Sequence, residues 1–326
     1  MRAIWYERFG PARDVLISGK LPDPAPGPGE VLIRLRASGG NPSDVKLRAG
    51  ARPGAEMEAP RIVPHSDGAG EIVEVGEGVD PARRGRRVWV WNAQWQRAFG
   101  TAAELVALPS AQAVDLPDGV GWDAAACLGI PAMTAWTAVL GDGPVAGKTV
   151  LVTGGAGSVG RYAVQMARLA GARVFATVSG PEKAARTPPC DALIDYRRDD
   201  VAERVLELTD GRGVDRIAEV EFGGNLAVTD RVLAIGGSVA AYASMAEREP
   251  RLPFYSLMFR NVRISLVLVY LLDAETHARG AAALGAWLAE GKLDHEIGGR
   301  FPLTETAAAH EAVETGSAAG NVVVEI

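Results

Sequence analysis

The sequence predicts an α/β protein with two parts: a doubly wound parallel sheet, and a β-rich domain ahead of it. Three observations carry this. Between residues 149 and 242 strand-like and helix-like segments alternate, as a parallel sheet with crossover helices requires. At residues 150–160 an apolar strand runs into the glycine-rich turn Gly154-Gly155-Ala156-Gly157-Ser158-Val159-Gly160 and then into an amphipathic helix. Residues 1–118 carry strand patterns with no helices between them, which suggests a small barrel. The chain has 326 residues, more than one compact core usually holds, so two domains are expected.

In chain order, Ala3–Tyr6, Glu30–Ala37, Gly70–Val75, Arg87–Val90 and Thr101–Ala107 read as strands. Breaks such as Pro22-Asp23-Pro24-Ala25-Pro26-Gly27-Pro28-Gly29 separate them. Helical patterns begin at Asp123–Cys127 and Met133–Leu140. There follow strand 149–153, helix 159–170, strand 173–178, a helix around 182–186, strand 192–195, helix 199–208, strand 214–219, helix 225–232 and strand 237–242. Pro188-Pro189 ends the helix after the second strand and implies a looser loop there. The apolar run Ile264–Leu272 is too short to span a bilayer and reads as a buried strand. Ala274–Glu290 and His310–Glu314 are helical, Asn321–Ile326 is extended, and this tail is expected to return to the first domain.

The turn has a physical reading. Glycines serve where φ is positive or where backbone must approach a ligand. The start of the following helix offers unpaired N–H groups and a partial positive charge, which suits a pyrophosphate. A nucleotide cofactor, of the nicotinamide kind, is the expectation.

Composition excludes several classes. Apolar residues make up 48% and charged residues 23%, as in an ordinary soluble protein. A net charge of −6 gives no electrostatic reason for nucleic-acid or membrane binding. Two cysteines, Cys127 and Cys190, cannot build a disulfide framework or a four-cysteine zinc site. The N-terminal residues lack the apolar core of a signal peptide, so a cytoplasmic location is expected.

Four segments give the chain a family likeness: Asn41-Pro42-Ser43-Asp44-Val45-Lys46-Leu47-Arg48-Ala49-Gly50, Val63–Gly76, Leu128–Trp136, and His310-Glu311-Ala312 with Gly316, Gly320 and the closing strand. In this order, around the glycine turn, they resemble the medium-chain dehydrogenase/reductase superfamily, and within it the zinc-free quinone oxidoreductase (ζ-crystallin-like) branch. The resemblance implies a GroES-like β-barrel domain over residues 1–122, a Rossmann dinucleotide-binding domain over 123–265, and a segment 266–326 returning to the first domain. It implies a homodimer, with the strand at Ile264–Val269 a candidate edge. Where zinc relatives carry their ligands, this chain has Asn41, Ser66 and Ile130, so no metal is expected; His65 is off by one position and reads as a loop histidine. Without a metal the natural chemistry is hydride delivery to a conjugated acceptor whose own carbonyl takes up the electrons. NADPH-dependent reduction of a quinone is expected. Reduction of α,β-unsaturated carbonyl compounds stays open, as does an NADPH-binding protein with little turnover.

Cofactor choice is read at the second strand, which ends Val178-Ser179-Gly180-Pro181 without the carboxylate that takes a ribose 2′-hydroxyl. The resemblance places Ser179, Lys183 and Tyr196 around a 2′-phosphate, which favours NADPH. Gly154, Ala156, Gly157, Ser158, Val159 and Gly160 are the expected pyrophosphate cradle. Thr134, Tyr242 and Ser244 are expected near the nicotinamide and its ribose. On the substrate side, Asn41, Asp44 and Lys46 sit on the loop that lines the nicotinamide end in relatives. Asn41 can donate to an acceptor oxygen or serve as a turn residue. Lys46 stands where relatives often carry tyrosine. Trp91, with Trp89 and Trp95, forms an apolar wall or barrel core. No catalytic triad and no general acid stands out.

Overall fold

A computed structural model describes residues 1–51 and 54–326, and the chain divides into two units, Met1–Pro131 with Ala281–Ile326, and Ala132–Gly280. The first unit begins with β1 (Arg2–Trp5), α1 (Ala12–Val15) and β2 (Ile17–Lys20). It continues through β3 (Glu30–Gly40), α2 (Pro42–Arg48), β4 (Asp67–Val75), β5 (Arg87–Val90), β6 (Leu105–Pro109), β7 (Ala113–Asp115) and α3 (Trp122–Ala125). The second unit contains α4 (Met133–Leu140), β8 (Thr149–Val152), α5 (Ser158–Leu169), β9 (Arg173–Val178), α6 (Pro181–Arg186) and β10 (Ala192–Asp195). It goes on with α7 (Val201–Leu208), β11 (Val214–Glu219), α8 (Phe222–Val232), β12 (Leu233–Ala241), α9 (Phe254–Phe259) and β13 (Arg263–Leu266). The chain closes with α10 (Ala274–Ala289), β14 (Ile297–Pro302), α11 (Thr306–Thr315) and β15 (Asn321–Glu325).

In the first unit one sheet runs β14-β15-β3-β4-β5-β7, with β6 also paired to β3. β3 organises it. Val31, Ile33 and Leu35 turn inward while Arg34 and Arg36 face solvent, the period of a half-buried strand. The inward set packs on Ile72, Val88, Val90, Val106 and Leu108. The last strand of the chain joins the same sheet, with Val322↔Gly40 through Glu325↔Ala37 antiparallel.

The second unit is a six-stranded parallel sheet in the order β10-β9-β8-β11-β12-β13. Its central strands are apolar on both faces because helices cover both, and β8 is buried at every residue. Leu151, Phe175, Ile194, Ile217, Leu226 and Val239 share one core. Among the described residues no helix is long and apolar enough to cross a membrane.

Three expectations change. The run Ile264–Leu272 is not a buried strand: β13 ends at Leu266, has a partner only in β12, and leaves Leu266 77% and Leu271 67% exposed. An edge strand has nothing on its outer side to bury such residues. Residues Pro42–Arg48 form a helix rather than a loop. Asn41 is its N-cap with extended backbone, Pro42 fills the first turn where no N–H is needed, and the Asp44 carboxylate accepts the Asn41 N–H at 2.9 Å. His65 does lie in the loop before β4, but that loop is fully buried around it rather than being a plain surface turn.

The surroundings of His65 fix its protons. The Thr101 hydroxyl donates to the Asp67 carbonyl, which can only accept. Ser38 therefore donates to Thr101 at 2.7 Å, and His65 Nδ1–H donates to Ser38 at 2.8 Å. The Nε2–H of His310, on α11, must then donate to His65 Nε2 at 2.9 Å. His65 holds a φ of +78°, costly for a residue with a Cβ, and bonds at both ring nitrogens hold it there. The chain of bonds pins the strand entry that carries Asp67.

Burial pushes the His65 imidazole down to about 3; burial, then His65 and Arg48, also push down His310. Below an unfolded value near 6.5 the unfolded chain takes up protons that the folded chain refuses, so this pair removes stability as pH falls. Each histidine contributes about 1.4 kcal/mol per pH unit in that window. A His65→Asn, His310→Gln double variant, with Asn tolerating the positive φ, is expected to show a visibly shallower fall of urea stability between pH 6.5 and 5 than the unaltered chain. Identical slopes would contradict the neutral pair.

Candidate functional site

The glycine turn lies at the C-terminal edge of the parallel sheet, where β8 hands over to α5. Its glycines do different work. Gly154 has a φ of +68° and donates to Thr177 Oγ1 at 3.1 Å. A Cβ on Gly155 would stand 2.8 Å from the Ala176 Cβ, and one on Gly160 would collide with the Gly154 carbonyl oxygen. Both are forced by the close packing of α5 on β8 and β9. Gly157 differs. A Cβ there would meet only the Gly154 oxygen at 3.4 Å, and the residue is exposed. Gly157 is also the N-cap of α5, and no side chain caps the helix. The first turn, half-exposed at Ser158 and Val159 and buried at Gly160, therefore has no side chain to answer its N–H groups and the positive end of the helix dipole. Ala156 is buried beneath it.

Other expected residues share this edge. Ser179, 9% exposed, follows β9, and Gly180 after it has a φ of +100°. Lys183 is exposed, one turn into α6. Helix α6 stops at Arg186, ahead of Pro188-Pro189. Tyr196, 52% exposed, follows β10 and donates its N–H to the Val178 carbonyl at 3.1 Å. Tyr242 and Ser244 follow β12 and, with Phe222, Leu266 and Leu268, line a mainly apolar cavity of about 240 Å³. The Tyr242 ring is half-buried, but its hydroxyl is buried without a hydrogen-bond partner, and burial pushes its acidity well down. Ser244 accepts the Gly223 N–H at 2.9 Å and donates to the Glu247 carbonyl, which fixes its hydroxyl beside the cavity. Thr134 is buried at the start of α4.

Sequence reasoning missed Glu219. It ends β11 fully buried, and its Oε1 accepts from Thr153 Oγ1 at 2.8 Å, the Glu221 N–H at 2.6 Å and Asn225 Nδ2 at 2.9 Å. Burial raises its proton affinity, and these donors oppose the rise. Thr153 in turn accepts the Val220 N–H at 2.9 Å. The carboxyl thus ties the end of β8 to the end of β11, immediately before the glycine turn. An acidic residue closing an apolar strand was the available signal.

In the first unit the pair Asn41 and Asp67 is central. Asp67 Oδ2 accepts from Asn41 Nδ2 and from the Ile130 N–H, both at 3.0 Å, and Oδ1 is buried without a partner. Burial, then the nearby Asp44 carboxylate, push Asp67 well above the usual range, and the two donors only partly offset this. Through these bonds Asp67 orients the Asn41 amide. Lys46 is half-buried on α2. Trp91 lies just past β5 and donates Nε1–H to the Ala111 carbonyl at 3.3 Å, while Trp89 is plain core at 1% exposure. Trp95 is half-buried. The three tryptophans therefore do not form one exposed wall.

Among the described residues no group of three or more His, Cys, Asp or Glu side chains is arranged to hold a metal ion. At the positions matching zinc ligands in relatives, the Asn41 amide and the Ile130 N–H both engage Asp67, a donor set that does not fit zinc.

Comparison with known proteins matches residues 27–118 to the alcohol dehydrogenase GroES-like domain and residues 189–324 to a family described as zinc-binding dehydrogenase. A quinone oxidoreductase of Lama guanicoe is 31% identical, over 99% of this chain and 97% of its own length. That of Homo sapiens is 29% identical, over 98% and 95%. Among solved structures, a mycobacterial quinone oxidoreductase superposes with a TM-score of 0.89 at 30% identity, and a mycobacterial protein complexed with NADPH with 0.87 at 30%, each covering 100% of both chains.

The two hydrogen bonds that Asp67 accepts make a distinct prediction. Asp67→Asn keeps an acceptor for both N–H groups and is expected to cost less than about 1 kcal/mol in urea unfolding. Asp67→Leu strands two buried donors and is expected to cost about 2–5 kcal/mol. Equal costs would contradict the assignment.

Proposed function

Because the chain belongs to the medium-chain dehydrogenase/reductase superfamily, among its quinone oxidoreductases, we propose that it is an NADPH-dependent quinone oxidoreductase. The observation that carries the reading is the uncapped start of α5 behind a glycine turn, at the C-terminal edge of a parallel sheet, in a chain that matches quinone oxidoreductases from end to end. NADPH supplies a hydride when bound. With one proton the overall change is quinone to hydroquinone and NADPH to NADP⁺.

The residues divide the work. The first turn of α5, from Gly157 through Ser158 and Val159 to Gly160, with Gly154 and Ala156 beneath it, holds the pyrophosphate. Ser179, Lys183 and Tyr196 hold the 2′-phosphate. Thr134, Tyr242 and Ser244 lie toward the nicotinamide and its ribose. Asn41, Lys46 and Trp91 face the acceptor, and Asp67 keeps the Asn41 amide turned. No side chain needs to act as nucleophile. What is required of the protein is position, exclusion of water and donors to a developing oxyanion. The quinone is the small-molecule partner, and the protein works in the cytoplasm, which fits its two free cysteines.

The chain acts as a homodimer through the outer edge of β13. The support is an unpaired parallel-sheet edge flanked by Phe259 at 79%, Leu266 at 77% and Tyr255 at 68% exposure, an apolar surface of the kind monomers seldom leave open.

The reading is tested by following NADPH oxidation with 1,2- and 1,4-quinones and with enones. Quinone turnover exceeding enone turnover at least about tenfold in kcat/KM is expected, a gap of about 1.4 kcal/mol in transition-state stabilisation. Turnover of enones alone would overturn it. For the dimer, Leu266→Glu is expected to shift sedimentation from two copies to one; an unchanged profile would remove this edge from the interface.

A further inference from the structure

In a dinucleotide fold the adenosine ribose is read just past the tip of the second strand of the βαβ unit. Here that tip, Val178-Ser179-Gly180, has no acid of its own. The neighbouring strand supplies one. Asp195, last residue of β10, stands in register with Val178, last residue of β9, and strands paired in this way lie about 4.8 Å apart. Its side chain leans toward that tip: Oδ1 accepts the Gly180 N–H at 3.1 Å and the Arg197 N–H at 3.2 Å. Among the described residues Oδ2 takes no protein donor. The carboxylate is half-buried against the Ser179-Gly180 bend.

Basic and acidic residues are mixed around it: Lys183, Arg197 and Arg198 stand with Glu182, Asp195 and Asp199, while Asp191 lies at the opposite end of these strands, accepting the Val174 N–H at 2.7 Å. The acid held closest to the bend is Asp195.

We infer that Asp195 is a specificity-determining residue for the cofactor: its charge, delivered from β10 to the tip of β9, weakens binding of a 2′-phosphorylated ribose relative to a free 2′-hydroxyl. The protein therefore discriminates only modestly between NADPH and NADH. A free hydroxyl can donate to Oδ2, whereas a phosphate only meets like charge. The inference rests on the reading of this edge as the dinucleotide site.

The test measures dissociation constants of NADPH and NADH by nucleotide fluorescence on the full chain, unaltered and as Asp195→Asn. Asn keeps a carbonyl oxygen for the Gly180 and Arg197 N–H groups, so the bend is preserved while the charge is lost. NADPH is expected to bind about fivefold tighter in the variant and NADH within about twofold of before, with the gap shrinking at high salt. An unchanged ratio, or equal shifts for both nucleotides, would overturn the role of Asp195. Gly157→Asp separates the two levels of the claim, because it places a carboxylate where the pyrophosphate should lie and is expected to abolish binding of both. Normal binding by folded Gly157→Asp would instead overturn the reading of the edge itself, and the inference with it.

Discussion

The close approach of Gly160 of α5 to the Gly154 carbonyl governs the geometry of the functional edge of the second unit. With any side chain at Gly160 the helix would have to lift off β8, and its first turn would no longer sit at the sheet edge. The +68° φ at Gly154 lets the chain reverse within so short a span. Gly157, by contrast, has space around it. The same turn therefore contains glycines that protein packing requires and one glycine that leaves room for something else. That separation marks a ligand cradle more clearly than the count of glycines does.

Around this constraint, buried acids do positioning work in both units. Glu219 gathers Thr153, Glu221 and Asn225 and fixes the ends of two central strands beside the turn. Asp67 gathers Asn41 and Ile130 and fixes the N-cap of α2. Both gain proton affinity chiefly from burial. Each carboxyl accepts several donors in a dry environment, where an unanswered polar group would be costly. Neither acid needs to exchange protons with a substrate to matter for it.

Much of this was legible in the sequence. The alternation after residue 149 predicts the parallel sheet, because period and punctuation are local properties. The strand–turn–helix at 150–160 predicts the glycine turn between β8 and α5 for the same reason. Three features escaped it. The helix after Asn41 was hidden because Pro and Asp read as loop residues unless taken together as first-turn proline and capping carboxylate. The burial of His65 depended on Ser38, Thr101 and His310, the last 245 residues away. Ile264–Leu272 looked buried because apolar composition does not tell a covered strand from an exposed edge. Asp195 shows the same limit. A search along the second strand finds no acid at its tip, because sheet pairing, not chain order, brings one there.

The most direct measurement is a crystal structure of the full chain soaked with NADPH. The account predicts the pyrophosphate against the N–H groups of the first turn of α5, beside Gly157, and the 2′-phosphate near Ser179 and Lys183. NADPH bound elsewhere on the chain, or this edge empty at saturating nucleotide, would contradict it.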